Sequence, residues 1–504
     1  MPNKLCIWLI FGPCAAFAQQ PLSAIDWLGQ NAPAVSAQPI VQEPPVTQTA
    51  RNSSIETSPL GVLAVPVGLV PASVTGLPST LWQGSEPARI ARLLQEVPVY
   101  DTPALQTLLY TLLLTEADTK AGDDTVLLAR LDRLLNLGAA DPAQELVQQA
   151  GPAENAARFE RWFDATLLTG DEDRSCSALV AAPHLAKDYA ARIFCNARRG
   201  DWQTAALTLE AAHALEVMPQ ARLDLLDRFL SPDVFDGAPP LPVPDDTDPL
   251  TFRLFETIGE PLPTRALPRV FATADLRDVA GWKAQLEAAE RLSQVGALTP
   301  NRLLGLYTER LPAASGGVWD RVKALQRFET ALNSNSSEAV AKTLPVVWQA
   351  MQSARLEVPF AALFADQLTT LELSVQAAGL AWRLALLSPD YEAASLNTPS
   401  DTASERFLAA LAQGAPGREE AFDNTSQAII EGFSADTSPP VQLAHNLRDG
   451  ALGYAILQAM VLFQSGATGN PADLSAALAT FRAVGLEDTA RRAALQLMLL
   501  ERRG

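Results

Sequence analysis

From Glu86 to the end of the chain, apolar residues return at steps of three and four with hardly a pause. That is the period of a helix that buries one stripe. Residues 89–94 open the pattern, and 105–114 and 126–137 follow, the latter stopped by Gly138. Phe159, Trp162, Phe163 and Leu167 mark another helix, closed by Gly170 and followed by Asp171, Glu172 and Asp173. Glycine just past a helix and acids at the start of the next match the left-handed cap and the helix dipole. Downstream, the pattern predicts helices over 282–295, 318–332, 340–351, 375–387, 451–463, 474–484 and 489–500. Pro345 and Pro359 are expected to kink helices or to sit in their first turns. No convincing run alternates apolar and polar residues with the period of two that a half-buried strand needs. The chain therefore reads as all-α, with roughly twenty helices joined by short turns. So many short helix pairs in one long chain predict an irregular α-solenoid, a superhelical array of helix hairpins, over one compact bundle.

The clearest hairpin lies within 176–215. Tyr189, Ala190, Ile193, Phe194 and Ala197 share one helix face, and Trp202, Ala205, Ala206, Leu209 and Ala212 share the next. Between them Gly200 ends one helix and Asp201 caps the other. The alanines let a neighbour approach closely, while Trp202 and Leu209 are expected to supply the volume. Gly200, Trp202, Ala205, Leu209 and Ala212 resemble the middle of a tetratricopeptide-type repeat over about one hairpin. The resemblance departs at Ile193, where that pattern has a small residue. It implies stacked helix pairs, without the family's peptide-binding groove.

The N-terminal part is different in kind. Residues 1–18 carry one basic residue, Lys4, an apolar run over 5–17, and small residues at Ala16 and Ala18. This is the layout of a secretory signal peptide cut after Ala18. The apolar run is too short to stay as an anchor, and no transmembrane helix is expected after cleavage. The expected location is therefore periplasmic or secreted. Residues 19–30 hold a short apolar motif around Ile25, Trp27 and Leu28. Residues 31–86 are rich in Pro, Gln, Ser and Thr and read as a disordered or extended linker. The more apolar part, 61–77, is expected to lie extended across the folded body. A second Pro- and Asp-rich stretch, 233–249, reads as a connector between a first helical half, 87–232, and a second, 250–504.

Export changes the reading of the cysteines. Cys6 and Cys14 leave with the signal, and the mature chain keeps Cys176 and Cys195, 19 positions apart. In an oxidising compartment the two are expected to form a disulfide tying neighbouring antiparallel helices. Two buried thiols or a metal pair are the alternatives.

Charge narrows the partners. The chain has 57 acidic residues against 38 Lys and Arg, a net of −19, with no concentrated basic run. Such a protein is poorly suited to nucleic acid or to an anionic membrane surface. Its three histidines, His184, His213 and His445, form no close ligand pair, and no P-loop, GxSxG elbow or EF-hand spacing occurs. Gly450 and Gly453 make half of a dinucleotide fingerprint, without its third glycine or a preceding strand. No catalytic residue, cofactor or metal is assigned. The candidate contacts are Trp27, with Ile25 and Leu28, and the loop 311–320, LPAASGGVWD. There Gly316 and Gly317 permit a sharp turn or close approach, and Trp319 offers a flat surface. The blander reading has Ser315 capping a helix with Trp319 packed underneath.

Two further resemblances concern the whole layout. A long exported helical array is similar to the superhelical portion of the soluble lytic transglycosylases, which cleave peptidoglycan. Their catalytic Glu-Ser pair has no counterpart here, because the chain contains no Glu-Ser dipeptide. The early SAIDWL segment, Pro-rich tail and Leu/Ala-rich body also resemble a group of exported proteobacterial α-helical proteins labelled antifreeze glycopeptide polyprotein. The Ala-Ala-Thr repeats that the label implies are absent, so no ice binding is expected. The expected function is that of a non-catalytic periplasmic scaffold meeting a protein or cell-envelope partner. The alternative is an enzyme or accessory factor acting on peptidoglycan.

Overall fold

Helix boundaries follow the short polar side chains and glycines between the apolar runs. Asn155, Asp188, Asp201, Asp248, Thr299 and Asn470 each accept a hydrogen bond from a backbone N–H in the first turn of the helix that follows. Asp423 and Ser426 form a reciprocal capping box. The computed structural model describes residues 66–118, 122–277 and 279–500. Among them are twenty-five α-helical segments and no strand, so the fold is all-α as expected. Two isolated bridges, Val67 to Ala117 and Val70 to Thr115, are the extent of β pairing among those residues. None of the described helices is long and apolar enough to cross a membrane. The signal peptide, the motif at Ile25, Trp27 and Leu28, and the linker up to residue 65 lie outside the described residues.

Neighbouring helices stack as hairpins along the chain. Ala140–Gln149 packs on Ala156–Thr169, Tyr189–Arg198 on Trp202–Ala214, Val318–Asn333 on Ser337–Ser353, and Leu452–Ala467 on Pro471–Ala483. An open solenoid has two free ends, and the described helices have none of that character. The last helix, Glu487–Leu499, packs on Pro103–Leu114, and the Gln496 side-chain oxygen accepts from the Ala104 N–H at 2.7 Å. The helix Leu452–Ala467 likewise packs on Pro87–Glu96. Apolar periodicity sets which face each hairpin buries. It says nothing of the rotation from one hairpin to the next, which decides whether the array stays open or returns on itself.

Burial divides the side chains into two cores. One runs from Val67 through Ala274, takes in Val295, and resumes from Trp382 to Leu495, joining both ends of the described chain. The other spans Ala272 to Leu387 and takes in Leu500. The connector 233–249 is irregular after the short turn Pro232–Phe235, yet the first core continues across it, from Leu226 and Phe229 to Leu250 and Phe252. It is pinned down by Glu260, which accepts from the Leu241 N–H at 2.8 Å and from Arg228 at 2.8 Å. The change of core falls instead at about 272–282, where the chain passes from Ala272–Asp275 to Trp282–Ser293.

Packing also begins before residue 87. Val67, Leu77, Leu81 and Trp82 are buried, and together they make residues 66–86 a strap across the junction of the two ends. Its extended start bonds to 114–117, and the Leu81 carbonyl accepts from the Gly453 N–H at 3.0 Å. Proline density argues against helix in this stretch, but it does not argue against burial. Glycine is required where the strap lies closest: a Cβ on Gly68 would come within 2.3 Å of the Thr115 oxygen, and one on Gly453 within 2.7 Å of the Leu81 oxygen.

Candidate functional site

Two tryptophans separated by 37 positions meet at the surface of the second core. Each sits in the first turn of a helix that follows a glycine: Trp282 after Gly281, and Trp319 after Gly317 and Val318. Their rings lie 5.1 Å apart, tilted by 52°. Trp282 is buried and donates its indole N–H to the Leu306 carbonyl at 3.0 Å, which fixes its ring. Trp319 is half-buried and keeps one side open.

The loop before Trp319 is shaped by Gly316 and Gly317, with φ of 89° and 57°. Two successive left-handed residues are costly for anything but glycine. They turn the chain sharply into the helix Val318–Asn333. The cap is Gly317 with no side-chain bond, so Ser315 is not a cap. It stands exposed in the loop. At the other end of the loop, Gln326 donates to the Tyr307 and Arg310 carbonyls at 2.8 and 2.7 Å. Leu311 is left 82% exposed, an apolar side chain in water with no packing role.

Beneath the tryptophans an ion pair fixes the spacing of their helices. Glu290, on the Trp282 helix, accepts from Arg321 at 2.7 Å and from the Tyr307 hydroxyl at 2.5 Å. Burial first, and then the Glu290 charge, hold the Tyr307 hydroxyl well above the usual phenol range. The hydrogen bond that Arg321 donates to Glu290 raises the guanidinium further. Tyr307 therefore donates and Arg321 stays charged, and the two helices cannot slide without breaking buried bonds.

The result is an open groove of about 610 Å³ floored by Trp282 and Trp319 and flanked by Leu311 and Ala313. At its rim Lys283 faces Glu287 at 3.6 Å, and Arg310 pairs with Glu309 at 2.8 Å. The charges cancel locally, and what is offered is flat apolar surface. The ionisable side chains that line the groove are Lys283, Glu287 and Arg310.

The other residues singled out from the sequence lie elsewhere. Cys176 and Cys195 are joined in a disulfide between Glu172–Ala181 and Tyr189–Arg198, and both are fully buried. On the next helix Ala205, Leu209 and Ala212 are buried as expected, while Trp202 is 52% exposed and only edges onto Phe229. His213 bonds Asp227 at 3.0 Å at the helix edge. Trp282 and the Glu290 cluster are absent from the sequence reading. The signal that points to them is the repeated placing of tryptophan just inside a helix that follows glycine.

Comparison with protein-family models, with curated proteins and with solved structures returns no match for this chain.

Proposed function

We propose that this protein is a non-catalytic interaction scaffold of the periplasm, holding an apolar segment of a protein partner in the Trp282–Trp319 groove. The observation that carries the reading is the exposed Leu311 beside a tryptophan pair whose spacing is fixed from below. Rigid aromatic surface lets an interface form with little ordering cost, and tryptophan is over-represented among residues that dominate binding. The disulfide supports an oxidising compartment. The stacked hairpin at 189–214, with its buried Ala205, Leu209 and Ala212, supports a tetratricopeptide-like scaffold in that stretch alone. The peptidoglycan-acting alternative would draw support from accessible carboxylates in a deep groove, and this groove has only Glu287, already beside Lys283.

The test is the affinity for a partner isolated from envelope extract. Trp319→Ala is expected to weaken binding roughly 30-fold, the equivalent of about 2 kcal/mol. Leu311→Glu, at a position with no packing role, is expected to weaken it comparably without moving the melting temperature. Unchanged affinity in Leu311→Glu would remove the groove from the interface. Retention on purified peptidoglycan, with no protein partner, would favour the wall-acting reading.

A further inference from the structure

A second hollow, remote in sequence from the tryptophan groove, lies where the helix Ala156–Thr169 meets the turn 183–188 and the starts of Tyr189–Arg198 and Pro249–Thr257. It encloses about 500 Å³. Phe159 and Phe163 form one wall, their rings nearly parallel with centroids 5.9 Å apart, and Leu185 and Leu250 close the sides. Among aromatic and aliphatic walls, the polar groups are unequal. Arg222 is satisfied by Asp188 and Asp248 at 3.3 and 3.0 Å, and Glu160 by Arg161 at 2.9 Å. Asp188 and Asp248 also cap the helices that follow them.

Asp164 is the exception. It lines the same hollow, and no described donor hydrogen-bonds its carboxyl or pairs with it. Arg161 acts on it through space but is held by Asp132 at 2.9 Å. The Lys187 side chain, on the opposite wall, is exposed and makes no bond to it. Asp164 is half-buried, and its carboxyl, with no protein cation of its own, is open to one that enters from solvent.

We propose that this cavity binds a small organic cation, with its ammonium against the Asp164 carboxylate and its apolar part against the wall backed by Phe159 and Phe163. Those rings are almost wholly buried, and the half-buried Ala156, Ala157 and Ala186 supply the apolar contact. The volume suits a ligand of modest size. Empty, the site discourages its own charge. Burial foremost, then Asp248, Glu160 and Asp132 outweighing Arg161, push the Asp164 carboxyl up to about 8. A bound cation reverses that balance, so binding at neutral pH releases the carboxyl proton to solvent.

Phenyltrimethylammonium, whose charge does not titrate, is the probe, followed by ligand-observed NMR on the full chain. With the carboxyl titrating near 8, the ionised fraction rises from roughly a tenth at pH 7 to roughly nine-tenths at pH 9. Apparent affinity is therefore expected to rise about ninefold over that interval. Asp164→Asn, close in shape to the protonated acid, should match the native melting temperature only near pH 4, where the carboxyl is protonated folded and unfolded alike, and lose at least tenfold in affinity at pH 9. The same substitution should melt higher than the native chain at pH 9. A raised carboxyl favours the folded state at low pH, and that advantage is lost as pH climbs to about 8, whereas the amide loses nothing. Equal binding of the neutral isostere tert-butylbenzene, affinity flat with pH, no binding of the probe, or full affinity in Asp164→Asn would each overturn the proposal.

Discussion

Arg130→Met is expected to release residues 66–70 from the body and to accelerate amide exchange at Val67, Leu69, Val70 and Glu116 by about 100-fold. The guanidinium is fully buried and meets no carboxylate. Its three nitrogens instead donate to the carbonyls of Leu113, Val67 and Thr115 at 2.7, 3.0 and 2.8 Å. Burial pushes it down to about 10, so it remains charged at neutral pH. Two of those carbonyls belong to the frayed end of Pro103–Leu114, where helix oxygens lack partners of their own, and the third belongs to the strap. One side chain thus satisfies a helix end and ties the strap to it. Methionine fills much of the volume but leaves the carbonyls to find water, at a cost of about 3 kcal/mol. Opening confined to the strap is the expected consequence, since the remaining bonds of 67–70 run mainly to 114–117, beside the site the guanidinium leaves. Protection within threefold of the native chain would mean that Val67, Leu77 and Trp82 hold it by packing alone.

Loss of the Cys176–Cys195 bond should lower stability by about 3 kcal/mol through the extra freedom of the unfolded chain. Cys176→Ala with Cys195→Ala is the cleaner variant, because serine would add two buried hydroxyls. The bond ties Glu172–Ala181 to Tyr189–Arg198 across the irregular turn 182–188. Nearby, fully buried Glu172 pairs with Arg253 at 2.9 Å and links that hairpin to Pro249–Thr257. Weakening the hairpin is therefore expected to loosen the helices after it. Thermal melts with and without reductant check this. The native chain should melt lower once reduced, and the double-alanine chain should melt at that lower temperature under both conditions. Equal melting of all three would show that helix packing alone holds the hairpin.

Much of this architecture is legible in the sequence where one rule acts alone. The runs 126–137 and 375–387 became helices within a residue of the expected ends, because the apolar period is unbroken in each and stops at Gly138 and at Ser388. Arg130 and Arg133 show where the pattern misleads. Both lie on the buried stripe of Thr125–Leu137, and Arg133 reaches the Gln95 and Val97 carbonyls. A charged residue reads as solvent-facing unless its acceptors are known, and these acceptors are remote backbone. The return of Glu487–Leu499 onto Pro103–Leu114 is hidden for the same reason, since it depends on contacts far apart in the chain, whereas the apolar part of the strap, up to Leu77, is legible from its composition. At the groove, Trp319 and the glycine pair are visible in the sequence, while Trp282 and the clamp of Glu290, Tyr307 and Arg321 need the packing of three helices. Asp164 carries no local mark at all, since its neighbours Asp248 and Asp132 arrive from other helices.

The measurement that bears most directly on the proposed scaffold is photo-crosslinking from the groove itself. A benzophenone amino acid replaces Leu311 in the full chain. A control carries it at Val375, equally exposed at 83% but outside the groove. Both are irradiated in envelope extract. A discrete protein adduct is expected from position 311, absent from position 375 and abolished by Trp319→Ala. No adduct at 311, or the same adduct from both positions regardless of Trp319, would contradict the proposed scaffold.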